Sequence, residues 1–133
     1  MSTTGSPIAT LGIELSIPVP ADLVVLARLT AATVAGRAGF GVEDIEDLRL
    51  AVEELCLSLV GGGKDGRLHL TYECENDAIT VTCRYEDGDG GAAADADDLS
   101  LRILDALVDE HGHSALDGQP SAWLCKRRSD QTA

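Results

Sequence analysis

Aromatic side chains are nearly missing from this chain: they make up 3% of its 133 residues, as one Trp, one Phe and two Tyr. The apolar share is nonetheless 44%, so the core of a globular domain here must be built from Leu, Val, Ala and Ile. One domain of this length buries a real core. Long apolar runs are also missing. No stretch approaches the ~20 residues of a membrane-spanning helix, and Met1 to Pro7 lacks the basic and apolar regions of a signal peptide. The expectation is a cytoplasmic protein with no membrane partner. Basic residues are few, 10 Lys and Arg against 23 Asp and Glu, for a net charge of −13. Phosphate contacts need clustered Lys and Arg, so this balance argues against nucleic acid and fits a neutral or basic partner. The four cysteines, Cys56, Cys74, Cys83 and Cys125, form no C-x-x-C pair. Neither His111 nor His113 stands at zinc-finger spacing to any of them, so buried reduced thiols are expected.

What is present is organised around residues 47–60. Ile45, Leu48, Val52, Leu55, Cys56 and Leu59 fall on one face at helical spacing, and that face is expected to pack. Asp47, Glu54 and Ser58 share a different stripe, whereas Glu53 points about 100° away from Glu54. From spacing alone the plainer reading of both glutamates is as solvent-facing helix formers.

The rest of the chain follows in order. Residues 1–10 are small and polar, a disordered lead-in. Leu11 to Ile17 alternates and is stopped by Pro18 and Pro20, which reads as a strand. A helix follows from Pro20 and Asp22 to about Ala38, with Leu23, Leu26, Ala27, Thr30, Ala31 and Val34 as its stripe. Gly39-Phe40-Gly41 breaks it. The central helix starts near Val42, with Glu43, Asp44, Glu46 and Asp47 favourable against the dipole, and stops at Gly61-Gly62-Gly63. Two strands, Arg67 to Cys74 and Ile79 to Tyr85, meet at a turn around Asn76-Asp77. Residues 86–98 hold only Gly, Ala and Asp apart from Glu86, which reads as a long loop. A third helix spans Leu99 to Asp109. His111 to Asp117 and Ser121 to Lys126 are strands about a turn at Asp117-Gly118, and the polar tail occupies 128–133. The domain is thus 11–127, a two-layer α/β (α+β) sandwich with a mostly antiparallel mixed sheet and about three helices on one face.

The segment Leu48-Arg49-Leu50-Ala51-Val52-Glu53-Glu54-Leu55-Cys56-Leu57-Ser58-Leu59-Val60 resembles the first conserved box of the anti-sigma-factor serine kinases, a branch of the GHKL (histidine kinase-like ATPase) superfamily. That helix reads L-x-L-A-V-x-E-x-x-x-N-A-V in the family, whose order of elements, the Bergerat fold, also matches. The resemblance implies Glu54 as catalytic general base, with Ser58 where an Asn holds Mg²⁺. The adenine-reading D-x-G-x-G box corresponds to Glu86, Gly88 and Gly90. The phosphate-binding G-x-G-L box corresponds to Asp98-Leu99-Ser100-Leu101, with both glycines replaced, which leaves Ser100 and Arg102 as the candidate phosphate contacts. ATP and Mg²⁺ are the implied cofactors, a sigma factor or an anti-sigma-factor antagonist the implied partner, and a homodimer the implied assembly.

The residues themselves argue against ATP. Asp97 and Asp98 would cap the N–H groups that phosphates need at a helix start. From Glu86 to Asp98, both included, there are six acidic residues and no basic one. At an effective dielectric of 20, each like-charge pair about 8 Å apart costs roughly 2 kcal/mol before screening. Asp87, Asp89, Asp95, Asp97 and Asp98 could hold a cation, although their spacing is not that of an EF-hand. Two functions follow: a binding module with weak or lost ATP binding, or an active serine kinase acting on an antagonist.

Overall fold

The computed structural model describes residues 11–19, 21–61, 65–86 and 97–129. The lead-in 1–10, the end of the tail, Gly88, Gly90 and the acidic Asp87, Asp89 and Asp95 lie outside the described residues.

Eight elements follow one another: β1 (Leu11–Pro18), α1 (Val24–Arg37, entered through a 3-10 turn at Ala21–Leu23), α2 (Val42–Val60), β2 (Arg67–Glu75), β3 (Ala78–Glu86), α3 (Asp98–Leu107), β4 (Glu110–Leu116) and β5 (Gln119–Arg127). The strands form one sheet in the order β1-β2-β3-β5-β4. Every pair in it is antiparallel, where the sequence pattern predicts some parallel pairing. The reason is the last hairpin. The crossover through α3 sets β4 in the same direction as β3, but β5 folds back at Asp117-Gly118 and inserts between them.

Period-two alternation sends Leu68, Leu70 and Tyr72 of β2, Ile79, Val81, Cys83 and Tyr85 of β3, and Ala122 and Leu124 of β5 to one face. There they form a single core with Leu48, Ala51, Val52, Leu55, Cys56 and Leu59 of α2. The other face carries His69, Thr71, Thr80, Thr82, Arg84, Glu86 and Trp123, and no helix covers it among the described residues. The result is a two-layer α+β sandwich of the histidine kinase-like type.

α1 departs from the expected stripe. Its buried residues are Val24, Ala27, Ala31, Val34 and Ala35, and Leu26 is exposed. The alanines bring α1 close to its neighbours, and the Tyr72 hydroxyl donates to the Ala27 carbonyl at 2.8 Å, which ties α1 to β2. Burial pushes the Tyr72 phenol well up, with the neighbouring Cys56 and Cys83 adding to the effect, so it remains a donor. The tight α1–α2 corner requires glycine at Gly39, where φ is +84°.

Candidate functional site

α2 positions the candidate residues because its core stripe is fully spent against the sheet. With Leu48, Val52, Leu55 and Leu59 buried, Glu54 and Ser58 are left on the flank that meets α3 and β4. The Ser100 hydroxyl, one turn into α3, donates to Glu54 Oε2 in a very short contact. Ser100 is held in place by its own amide, which donates to Asp97 Oδ1 at 2.8 Å, so Asp97 is the N-cap of α3. The structure therefore brings together Glu54 and Ser100, which stand 46 residues apart in the chain.

Ser58 is also engaged. Its hydroxyl donates to the Leu55 carbonyl at 2.8 Å, and its oxygen lies 2.9 Å from His113 Nε2. With the hydroxyl proton committed to Leu55, His113 must supply the proton of the second bond. The imidazole then carries hydrogen on Nε2 and a lone pair on Nδ1. That Nδ1 is buried and has no hydrogen-bond partner among the described residues. Burial pushes the His113 pKa down, and the charge of neighbouring His111 pushes it further the same way, in keeping with a neutral ring. His111 Nε2 lies 2.6 Å from Asp105 Oδ1 of α3.

The remaining candidates lie elsewhere. Glu86 is on the open face of the sheet, across from the helices, where its carboxylate is 2.7 Å from His69 Nε2. The His69 bond holds the Glu86 carboxyl below its usual value, with Arg84 and Arg67 assisting. The strand alternation that buries Tyr85 sends Glu86 to that face, so the structure does not bring it to Glu54. Arg102 is exposed on α3. Glu53 turns towards α1 and pairs with Arg28 at 3.3 Å.

His113, which the sequence offers only as a zinc ligand at the wrong spacing, holds Ser58. A signal for it existed: His111 and His113 sit two apart in a strand and so share a face. The Asp117-Gly118 turn sets the register that puts His113 opposite buried Ala122. Among the described residues no group of three or more His, Cys, Asp or Glu could hold a metal ion. The described side chains fit a Mg–nucleotide poorly. The hydroxyl at the metal position is spent on Leu55 and His113, and a carboxylate caps the helix start where phosphates would dock.

Between α2 and α3 runs a cleft of about 420 Å³ lined by Leu50, Glu53, Glu54, Ile103, Ala106 and Leu107. Its walls are mainly apolar, and its charged groups are the two glutamates.

The fold is that of a histidine kinase-like two-layer sandwich. The chain is 34% identical over 97 residues to the serine-protein kinase RsbW of Bacillus cereus (strain AH187), covering 68% of this chain and 56% of the relative. The RsbW of Bacillus thuringiensis subsp. konkukian (strain 97-27) matches with the same identity and coverage. That of Bacillus thuringiensis (strain Al Hakam) is 48% identical over 48 residues, 36% of this chain and 30% of the relative. No family profile matches the chain. By fold and by similarity the chain is a homologue of the RsbW serine-protein kinases, and it spans a little over half the length of those it matches.

Proposed function

We propose that this domain is an anti-sigma-type regulatory protein that docks a sigma factor or its antagonist, with ATP binding weakened or lost. The observation that carries this reading is the bonding of Ser58. At the position where the resemblance calls for a Mg²⁺-holding Asn, there is a shorter side chain whose hydroxyl is already bonded to Leu55 and His113. The residues that make the fold are kept, whereas those facing a nucleotide are replaced or turned to other partners. Titration with Mg-ATP by calorimetry tests it. The expected result is no saturable heat at millimolar nucleotide, and a micromolar isotherm overturns the reading. In this reading the protein works in the cytoplasm, and the resemblance adds a homodimer, which light scattering would detect.

A second reading has its own observation. Glu54 accepts a hydrogen bond from a serine hydroxyl, that of Ser100, which is the contact a general base for serine phosphorylation must make with its substrate. On this reading Glu54 deprotonates the antagonist's serine and Ser58 gives up Leu55 and His113 to reach Mg²⁺, while Glu86, across the sheet, would have to leave His69 to reach adenine. Glu54→Ala would then abolish phosphate transfer from labelled ATP and spare antagonist binding. On the first reading the same variant has no phosphate transfer to lose.

A further inference from the structure

We propose that the α2–α3 cleft is a docking trough for an amphipathic helix with a leucine-type stripe flanked by Lys and Arg, carried by the partner protein. This rests on the binding-module reading above and adds where the partner sits and what it must look like.

The trough is apolar where a folded monomer would ordinarily be polar. Leu50 is 49% exposed on its wall, opposite Ile103 and Leu107. Two stripes continue it at helical spacing: Leu57, 37% exposed, lies one turn beyond Glu54 on α2, and Leu99, 66% exposed, lies one turn before Ile103 on α3. Apolar surface continued along both helices in this way is a mark of an interaction site. At 10 residues, α3 is about 15 Å long, which accommodates roughly three turns of a helix laid alongside it.

Charge decides the occupant. The charged groups lining the trough are Glu53, which is paired with Arg28, and Glu54. A second copy of this chain would set carboxylates against carboxylates and a net charge of −13 against −13. A nucleotide would find carboxylates as the charged groups of an apolar wall. A helix with Lys and Arg flanking apolar residues satisfies both the floor and the rim, and its net positive charge is steered towards a protein of charge −13.

The probe is a fluorescein-labelled amphipathic peptide of Leu and Lys about 14 residues long, roughly four helical turns, followed by anisotropy with the full chain. The expected result is saturable one-to-one binding, roughly tenfold weaker for Leu50→Lys or Ala106→Lys, and within about twofold of the parent for Val42→Lys. Val42 is 83% exposed at the start of α2 and away from the trough, so its variant controls for the added charge alone. Ala106 is already exposed, so Ala106→Lys remains informative should Leu50→Lys perturb the fold. Equal weakening by all three substitutions, or binding without saturation, overturns the trough. Neither result bears on nucleotide affinity, so failure here is distinguishable from failure of the binding-module reading, which the Mg-ATP titration decides.

Discussion

Asp44 lies in the first turn of α2, 5% exposed, and its carboxylate takes the Ser129 amide at 2.7 Å and the Ser129 hydroxyl at 2.8 Å. Lys126 Nζ stands 3.7 Å from it. Burial pushes this carboxyl up, but the two Ser129 bonds and the Lys126 charge together outweigh it, and the net pKa is below the ordinary value. A carboxyl depressed in the folded state stabilises fully above its unfolded pKa of about 3.9 and loses that contribution as pH falls through the lower folded value. Asp44→Ala should therefore cost about 1–2 kcal/mol at neutral pH, since it removes two hydrogen bonds to a charged group and a partner of the half-buried Lys126. Urea melts should show the gap between parent and variant narrowing in acid, and a gap that stays constant below pH 3 would refute the assignment. Nothing local sets Asp44 apart from Glu43 or Asp47: all three read as dipole partners, and Ser129 reads as polar tail. Glu54 is similar. Helical spacing separates it from Glu53, but Ser100 reaches it only through tertiary packing across 46 positions.

At the scale of elements, the chain was legible wherever a periodicity met a turn. Asn76 and Asp77 adopt positive φ (53° and 67°), as do Asp117 (54°) and Gly118 (79°), so both hairpins close where turn chemistry places them. The buried face of α1 was not legible, because a helix reading VVLARLTAATVAGR offers apolar residues on nearly every side and a stripe cannot be singled out. Nor does pattern alone say that β5 inserts between β3 and β4, which decides the order of the sheet. The β4–β5 pair gives a direct test. Gly112 lies under Trp123, and a Cβ there would stand 2.6 Å from the indole Nε1 and 3.1 Å from Cε2. Gly112→Ala must push the ring off the strand, at a cost of about 1 kcal/mol for a partly exposed overpacked contact. Trp123 is the only tryptophan, so its emission should shift to the red as the ring gains solvent. Unchanged emission together with an unchanged melting temperature would show that the ring does not pack on Gly112.

The whole molecule is governed by its charge, the property most directly legible in the sequence. Against 23 acidic residues there are 10 basic ones, and several of these are already paired locally: Arg28 with Glu53, Arg49 with Glu46, Lys126 with Asp44 and Asp47, Arg127 with Glu110, and Arg128 with Asp77. The unpaired excess is negative and repels itself more strongly in the compact state than in the expanded chain. Most of the pairs are at the surface and contribute little each, so screening them loses less than screening the repulsion gains. Sodium chloride should therefore stabilise this protein. Between about 0.02 and 0.5 M salt the Debye length falls from roughly 20 to 4 Å, shorter than most distances between unpaired carboxylates. The expected gain is about 1 kcal/mol, or roughly 3–5 °C in melting temperature. The same salt series should weaken the Leu/Lys peptide at the α2–α3 trough, because there the attraction is what is screened. A melting temperature that falls with salt would mean the surface pairs outweigh the excess charge, and the acidic surface would then have to be counted as a source of stability.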